Sequence, residues 1–145
     1  MKFRKLKPTS ARGKLLKECD KLFAMIIKVE RGPACEIHGG LSCDRIGTMH
    51  ILSKQAHPRL RYCPDNVVRA CWFGSHFWTH HNPDDCRAIR TKQRILQIKG
   101  CKTWGELKMK LLVAEKSMQK HDILYLNALR LYLKNEIEKL VKESK

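Results

Sequence analysis

The 145-residue chain is short of acidic side chains: 14 Asp and Glu stand against 30 Lys and Arg, which gives a formal net charge of +16. An excess of this size repels itself in a folded protein, so it indicates a polyanionic partner. Nucleic acid is the first candidate for that partner, and an anionic membrane surface is the second. The net charges of residues 1–30, 31–83 and 84–145 are +6, +3 and +7, so the central segment is the least charged.

The sequence also lacks a long apolar run. None of its apolar stretches is long enough to span a membrane, and the basic N-terminus leads into no hydrophobic region of the kind that a signal peptide needs. The seven cysteines are an odd number. We therefore expect an intracellular protein with no membrane partner, whose cysteines are thiols or metal ligands rather than a disulfide framework.

Hydrophobic periodicity predicts a helix near the N-terminus and a short hairpin in the centre. Residues 11–29 form an amphipathic pattern that begins after Ser10, a suitable N-cap, and ends at Gly32-Pro33. Residues 46–52 and 67–70 are typical of short strands. The loop between them contains Pro58, Pro64 and Asp65-Asn66, which break regular structure.

The C-terminal part is predicted to be helical. Residues 84–98 form one helix, Thr103 and Glu106 make a capping box for the next, and Asp122 caps or kinks a third. The third helix carries an apolar stripe: Leu126, Leu129, Leu133, Ile137 and Leu140. A homodimer interface is one interpretation of that stripe, and packing against the protein's own core is the commoner one.

These patterns predict an α+β protein that forms one compact domain. Residues 1–32 are a basic N-terminal helix, residues 33–83 are a small core rich in Cys and His, and residues 84–145 are a helical, basic C-terminal arm. A reactive central segment, flanked by two basic segments that bind phosphate, would explain the distribution of charge. Solvated helix faces are the competing explanation, and they account for part of the excess.

One ordered set of side chains, His50, Asn66, His76 and His80, matches the needs of an HNH nuclease. In such an enzyme one His takes a proton from water, so that hydroxide attacks the phosphorus. An Asn fixes the loop that holds this His, and ligands on a following helix hold one divalent cation. His76 and His80 are four residues apart, so they would share one face if this stretch is helical, as two ligands of one ion must. Seven His offer many such pairings, and chance spacing is the alternative.

A second set of residues favours a zinc site. Cys35 and His38 are separated by two residues, which lets both side chains reach one tetrahedral zinc ion, and Cys43, Cys63 and Cys71 follow. Zinc would also stabilise a central segment with few apolar residues. Buried free thiols are the alternative. That alternative is our interpretation for the cysteines on helical stripes or near helix ends: Cys19, Cys86 and Cys101.

Four basic side chains surround the predicted loop between the two strands: Lys54, Arg59, Arg61 and Arg69. Guanidinium groups grip phosphate in a bidentate manner, so beside a hydrolytic centre they would position the scissile strand. Ordinary surface charge is an equally good interpretation of any single one. As a group they are our predicted DNA contacts.

Taken together, these residues resemble the phage NinG/Rap recombination nucleases, members of the HNH (ββα-metal, His-Me finger) endonuclease superfamily. The resemblance starts at Lys21-Leu22-Phe23, where the family has an Asp-x-Leu-Phe-like signature, and Cys35-x-x-His38 is similar to the family's first Cys-x-x-Cys knuckle. Gly47-Thr48-Met49-His50-Ile51-Leu52-Ser53-Lys54 is similar to its Gly-His-(aromatic)-x-Ser-Arg stretch. Arg61-Tyr62-Cys63-Pro64-Asp65-Asn66-Val67 resembles its Arg-(aromatic)-x-x-x-Asn-Val, and Cys71 falls where the second knuckle begins. The ordered set is more specific than any one motif.

The resemblance implies a small ββα-metal core with a zinc knuckle. It implies that His50 is the general base, that Asn66 fixes the loop, and that Arg61 contacts phosphate or braces the site. The implied zinc ligands are Cys35, His38 and Cys71. Branched DNA or recombination intermediates are the implied substrate, and a phage or its prokaryotic host cell is the implied setting.

The chain departs from the family pattern in the second knuckle. Gly74 stands where a Cys is expected, and Ser75 stands where Asn usually follows. The fourth zinc ligand is therefore Cys43, Cys63 or one of the His, and we take Cys43.

A second departure concerns the catalytic metal. Met49 precedes His50, and a thioether cannot ligate a hard cation such as Mg²⁺. The catalytic Mg²⁺ or Mn²⁺ would then rest on His76 and His80, with Asp44 as a further candidate. The sequence thus predicts a metal-dependent DNA endonuclease. The alternatives are an inactive, zinc-stabilised DNA-binding or scaffold protein and an RNA-directed nuclease.

Overall fold

The computed structural model describes residues 10–40, 43–72 and 82–144. Over these residues it has four α-helices and one two-stranded antiparallel sheet. Their order is α1 (Ala11–Arg31), β1 (Ile46–His50), β2 (Val67–Cys71), α2 (Cys86–Lys99), α3 (Trp104–Lys116) and α4 (Ile123–Glu143). The predicted α+β class is confirmed. The ββα-metal assignment stays a prediction, because the segment after β2, residues 73–81, lies outside the described residues.

Capping side chains determine where the helices begin. The Ser10 hydroxyl and the Asp122 carboxylate each accept a hydrogen bond from an N–H group in the first turn of the following helix, as predicted. The Thr103 hydroxyl accepts from the N–H of Glu106 at 3.1 Å. The Glu106 carboxylate, however, accepts from the N–H of Lys102 rather than from that of Thr103. The capping box therefore closes one residue further out than the standard pattern.

The sheet register fixes the relative positions of the two predicted sites. Ile46 pairs with Cys71, and His50 pairs with Val67. Cys71 and His50 therefore lie at opposite ends of the hairpin, about 14 Å apart along the strands at a rise of about 3.4 Å per residue. The connecting loop contains two short 3₁₀ turns, Pro58–Leu60 and Pro64–Asn66, which begin at the two prolines predicted to break regular structure.

Two groups of buried side chains hold the helices to the hairpin. Met49, Leu60 and Val68 pack with residues of α2 and α3, including Ile95 and Leu107. A second group joins α1 to α4 and to Val67 of the sheet: Leu15, Cys19, Phe23, Ile26, Ile27, Leu126 and Leu133. Helices α1 and α4 therefore both pack on the central segment, since Val67 belongs to the hairpin and to the α1–α4 group.

The C-terminal apolar stripe packs within the molecule. Leu126 and Leu133 are buried against α1, and Leu129, Ile137 and Leu140 are partly buried beside them. Of the two interpretations of this stripe, core packing is the one found. Among the helices that the structure describes, none combines the length and the apolar character required to cross a membrane.

Candidate functional site

A tight turn brings two of the predicted zinc ligands together. The N–H of Cys35 donates to the carbonyl of Gly40 at 2.9 Å, and the N–H of Gly39 donates back to the carbonyl of Cys35 at 2.7 Å. Gly39 has a φ of 72°, a left-handed conformation that glycine adopts without steric cost. The turn is tied to β2 because the N–H of Glu36 donates to the carbonyl of Arg69 at 2.8 Å.

Four predicted ligands converge beside this turn. The Nδ1 atom of His38 lies 3.5 Å from the sulfur of Cys35 and 3.4 Å from the sulfurs of Cys43 and Cys71. All four ligand atoms lie within 4.8 Å of one another. Typical Zn–S and Zn–N bond lengths at tetrahedral angles place nitrogen and sulfur ligands about 3.6 Å apart. The cluster therefore has the dimensions of a zinc site, and it could hold a metal ion.

The electrostatics of the three cysteine sulfurs also favour a bound cation. Burial raises the pKa of Cys43 to about 12, and the negative charges of Cys35 and Cys71 add to the rise. Three sulfurs so close together cannot all be thiolates without a positive charge between them. A bound cation removes this penalty, because cysteine ligates metals as the thiolate.

Of the two cysteines considered as the fourth ligand, Cys43 lies in the cluster and Cys63 does not. Cys63 is buried among the apolar side chains that pack with α2 and α3, and it takes no part in the cluster. Its distance from the cluster follows from the loop, which carries it to the His50 end of the hairpin. Of the cysteines assigned to free thiols, Cys19 and Cys101 are buried and Cys86 is exposed.

His50 lies at the end of β1, facing the loop. Its Nε2 donates a hydrogen bond to the backbone carbonyl of Arg61 at 2.8 Å. A carbonyl can only accept, so Nε2 carries the proton and Nδ1 keeps its lone pair. Burial lowers the pKa of His50 below its ordinary value; Lys54 and Arg61 act in the same direction, against the carbonyl and Asp20. The imidazole is therefore neutral at pH 7 and able to accept a proton.

Asn66 joins the two ends of the loop from inside the protein. It is fully buried, its Oδ1 accepts from the N–H of Leu52 at 2.8 Å, and its Nδ2 donates to the carbonyl of Leu52 at 3.0 Å. A longer bond of 3.4 Å runs from Nδ2 to the carbonyl of Leu60. The backbone carbonyl of Asn66 accepts from the N–H of Ile51, next to His50. These bonds fix the position of the loop relative to His50.

The loop segment at Arg61, whose carbonyl binds His50, is held to α1 by an ion pair with Asp20. The guanidinium of Arg61 binds the Asp20 carboxylate through two hydrogen bonds, of 2.8 and 2.6 Å. Burial raises the pKa of Asp20, but the hydrogen bonds and charge of Arg61, with the charge of Lys54, lower it further, so the net shift is downward. Arg61 thus braces the site, and its side chain is committed to a carboxylate.

Sequence reasoning missed the role of Asp20. It is one of three acidic residues among the first 30, and it stands directly before Lys21-Leu22-Phe23, where the resemblance to the NinG/Rap family begins. That position was the signal that could have identified it. Its partner Arg61, 41 residues away, could not be identified from spacing.

The other predicted DNA contacts lie in different environments. Lys54 is exposed and lies 3.8 Å from the Asp20 carboxylate, and Arg59 is partly exposed on the loop. Arg69 is only 4% exposed, and burial lowers its pKa. The Arg69 guanidinium therefore lies inside the protein rather than on a surface open to phosphate.

The predicted ligands of the catalytic metal, His76 and His80, lie outside the described residues. Met49 is fully buried in the apolar core. Asp44 is exposed next to the Cys/His cluster in sequence. Across residues 10–40, 43–72 and 82–144, the Cys/His cluster is the single grouping of three or more His, Cys, Asp or Glu side chains that could hold a metal ion.

No family model matches the chain, and comparisons with curated proteins and with solved structures likewise gave no match.

Proposed function

We propose that the chain is a metal-dependent endonuclease that hydrolyses phosphodiester bonds in DNA through an HNH-type site. The observation that carries the proposal is the arrangement around His50. A histidine at the end of β1 donates through Nε2 to a loop carbonyl, and a buried Asn66 fixes that loop to the strands. This leaves one imidazole nitrogen of His50 with a lone pair, as a general base requires.

In the proposed reaction, Nδ1 of His50 takes a proton from water as the water oxygen bonds to phosphorus. The bond between phosphorus and the leaving sugar oxygen then breaks, and that oxygen gains a proton from solvent. His50 later returns its proton to solvent. The lowered pKa of His50 supports this role, because it keeps the imidazole neutral before the reaction.

The proposal includes Mg²⁺ or Mn²⁺ near the scissile phosphate, held by His76 and His80 on the ground of their four-residue spacing. The chemistry that such a cation supplies is neutralisation of the charge that develops on the phosphate and the leaving oxygen. The contribution of the described residues is separate: they orient His50 and hold the loop.

We assign zinc, in a structural role, to the cluster of Cys35, His38, Cys43 and Cys71. Four protein ligands leave no position for water, which is typical of structural rather than catalytic zinc. The cluster joins the turn at Cys35 to the far end of β2, at Cys71. Zinc would therefore stabilise the hairpin without taking part in the reaction at its other end.

DNA is the proposed substrate because the net charge of +16 favours a polyanion. The resemblance to NinG/Rap nucleases adds branched DNA and recombination intermediates. One observation favours a second candidate, a zinc-stabilised DNA-binding protein without catalysis. Met49, which precedes the candidate base His50, is fully buried and cannot ligate a hard cation.

The test is cleavage of supercoiled plasmid by the purified chain with Mg²⁺ or Mn²⁺. We expect nicked and then linear plasmid, and no cleavage when the divalent cation is omitted. Four-way junctions, linear duplex and RNA of matched length would be compared in parallel. DNA binding without cleavage under any cation would contradict the nuclease and support the second candidate, and cleavage of RNA alone would reassign the substrate.

A further inference from the structure

A basic cavity lies between the start of α1, the hairpin loop and the segment before α4. Its volume is about 350 Å³. The side chains that line it come from these three parts of the chain: Arg12, Pro58, Arg59, Lys120, His121 and Asp122. A cavity of this volume can accommodate a phosphate group together with part of the sugar on either side.

The charge of the cavity is not balanced by the protein. Three of its lining residues are cations, and no ion pair among the described residues includes Arg12, Arg59 or Lys120. The lone carboxylate, Asp122, is engaged as the N-cap of α4, where it accepts from the N–H of Tyr125 at 2.8 Å. The Asp122 carboxylate caps the positive end of this 21-residue helix and offsets its field, so the surplus positive charge of the cavity comes from the three cations.

His121 provides a second, independent indication of a ligand. It is 7% exposed, and its ring is stacked on Tyr125, with centroids 5.0 Å apart, and packed against Tyr62 at 5.2 Å. The backbone carbonyl of His121 accepts from Nε of Arg12 at 3.0 Å. In the part of the chain that the structure describes, neither ring nitrogen of His121 makes a hydrogen bond. An imidazole held in one orientation at the wall of a cavity, with both ring nitrogens unpaired among the described residues, can form a hydrogen bond to a ligand there.

The surroundings of His121 also disfavour the protonated, positively charged form of its imidazole. Burial, followed by the charges of Arg61 and Arg12, lowers the pKa of His121. An anion in the cavity would act against both charge effects by favouring the protonated imidazole. It would also give the imidazole a hydrogen-bond acceptor.

We propose that this cavity binds one phosphodiester group of a nucleic-acid strand at a point separate from the His50 site. The inference rests on the proposed function, which supplies a nucleic-acid partner. Its position follows from α1: Arg12 and Asp20 are eight residues apart, so the cavity and the Asp20–Arg61 pair are separated by about 12 Å along the helix. Tyr62 links them, because it follows Arg61 in the loop and contacts His121.

The experiment measures binding separately from cleavage. A fluorescent 20-base-pair duplex is titrated with the full chain in Ca²⁺, without Mg²⁺ or Mn²⁺, at several salt concentrations. The cavity variant is Arg59→Gln with Lys120→Gln. The charge-matched control is Lys108→Gln with Lys142→Gln, because both lysines are exposed and neither forms an ion pair among the described residues.

We expect the cavity variant to bind the duplex about tenfold more weakly than the control at 0.1 M salt. The slope of log K against log salt should decrease in magnitude by about 1, the contribution of one phosphate contact. Affinities of the two variants within twofold of each other would overturn the proposal. The single variant Lys120→Gln is measured as well, and urea unfolding of each variant identifies any loss of affinity that comes from misfolding.

A direct measurement uses the His121 ring signals in the NMR spectrum. They should shift when duplex is added to the wild type, and not when it is added to the cavity variant. Inorganic phosphate and vesicles of phosphatidylcholine with phosphatidylserine are titrated in parallel. Shifts with vesicles but not with duplex would overturn the proposal in favour of a lipid headgroup.

The outcomes separate this proposal from the proposed function. If the chain binds duplex through the cavity but cleaves no nucleic acid, the cavity proposal stands and the nuclease proposal fails. If the chain nicks plasmid while both double variants bind duplex equally well, the nuclease proposal stands and the cavity proposal fails.

Discussion

Replacement of Asn66 by Ala should destabilise the protein strongly. Asn66 is fully buried, and its side chain satisfies the N–H and carbonyl of Leu52 and one carbonyl of Leu60. Each buried polar group left without a partner costs about 1–3 kcal/mol. The bonds to Leu52 are the shorter ones and dominate, so we expect a loss of about 2–5 kcal/mol in the free energy of unfolding.

The assay is urea unfolding followed by circular dichroism. With a slope of about 2 kcal/mol per molar urea, the expected loss lowers the midpoint by about 1–2.5 M. The control is Asn135→Ala, at an exposed position on α4, which should change stability by less than about 0.5 kcal/mol. Equal midpoints for the two variants would refute the conclusion that Asn66 holds the loop.

Three further predictions concern the metal cluster, the ion pair and the base. Cys71→Ser should reduce bound zinc from about one ion per chain to none, whereas Cys63→Ser retains it; metal analysis after dialysis checks this, and equal zinc in both contradicts the cluster. Asp20→Asn should cost about 1 kcal/mol at pH 7. Because the pKa of Asp20 is lowered in the folded state, the stability difference between wild type and Asp20→Asn should vanish as the pH falls through the folded pKa. Urea midpoints of these two proteins that differ by the same amount at pH 7 and pH 3 would contradict this prediction. The lowered pKa of His50 should place the acid limb of the nicking rate below pH 6.5, and a limb above pH 7 would argue against His50 as the base.

The parts of the fold that follow from neighbouring residues could be predicted from the sequence. Ser10, Thr103 and Asp122 cap helices through bonds to residues three positions on, so their roles depend on local sequence alone. Cys35 and His38 share a turn for the same reason. The two short strands were predicted to within two residues.

The parts that depend on distant contacts could not be predicted. We took Cys43 as the fourth ligand, but no local feature distinguished it from Cys63; the physical reason is that the loop carries Cys63 into the apolar core. The apolar stripe on α4 was evident from its spacing, but its packing against α1 required the tertiary structure. The cavity that contains Arg12 and His121 joins residues 109 positions apart, and nothing in the local sequence connects them.

The role of His50 as the base of a nuclease is tested most directly by comparing the rates at which wild type and His50→Ala nick supercoiled plasmid with Mn²⁺. General base catalysis of this kind contributes about 10²–10⁴-fold, so we expect the variant to be slower by at least 100-fold. Its zinc content should be unchanged, because the cluster lies at the other end of the hairpin. Equal rates for the two proteins would contradict the account.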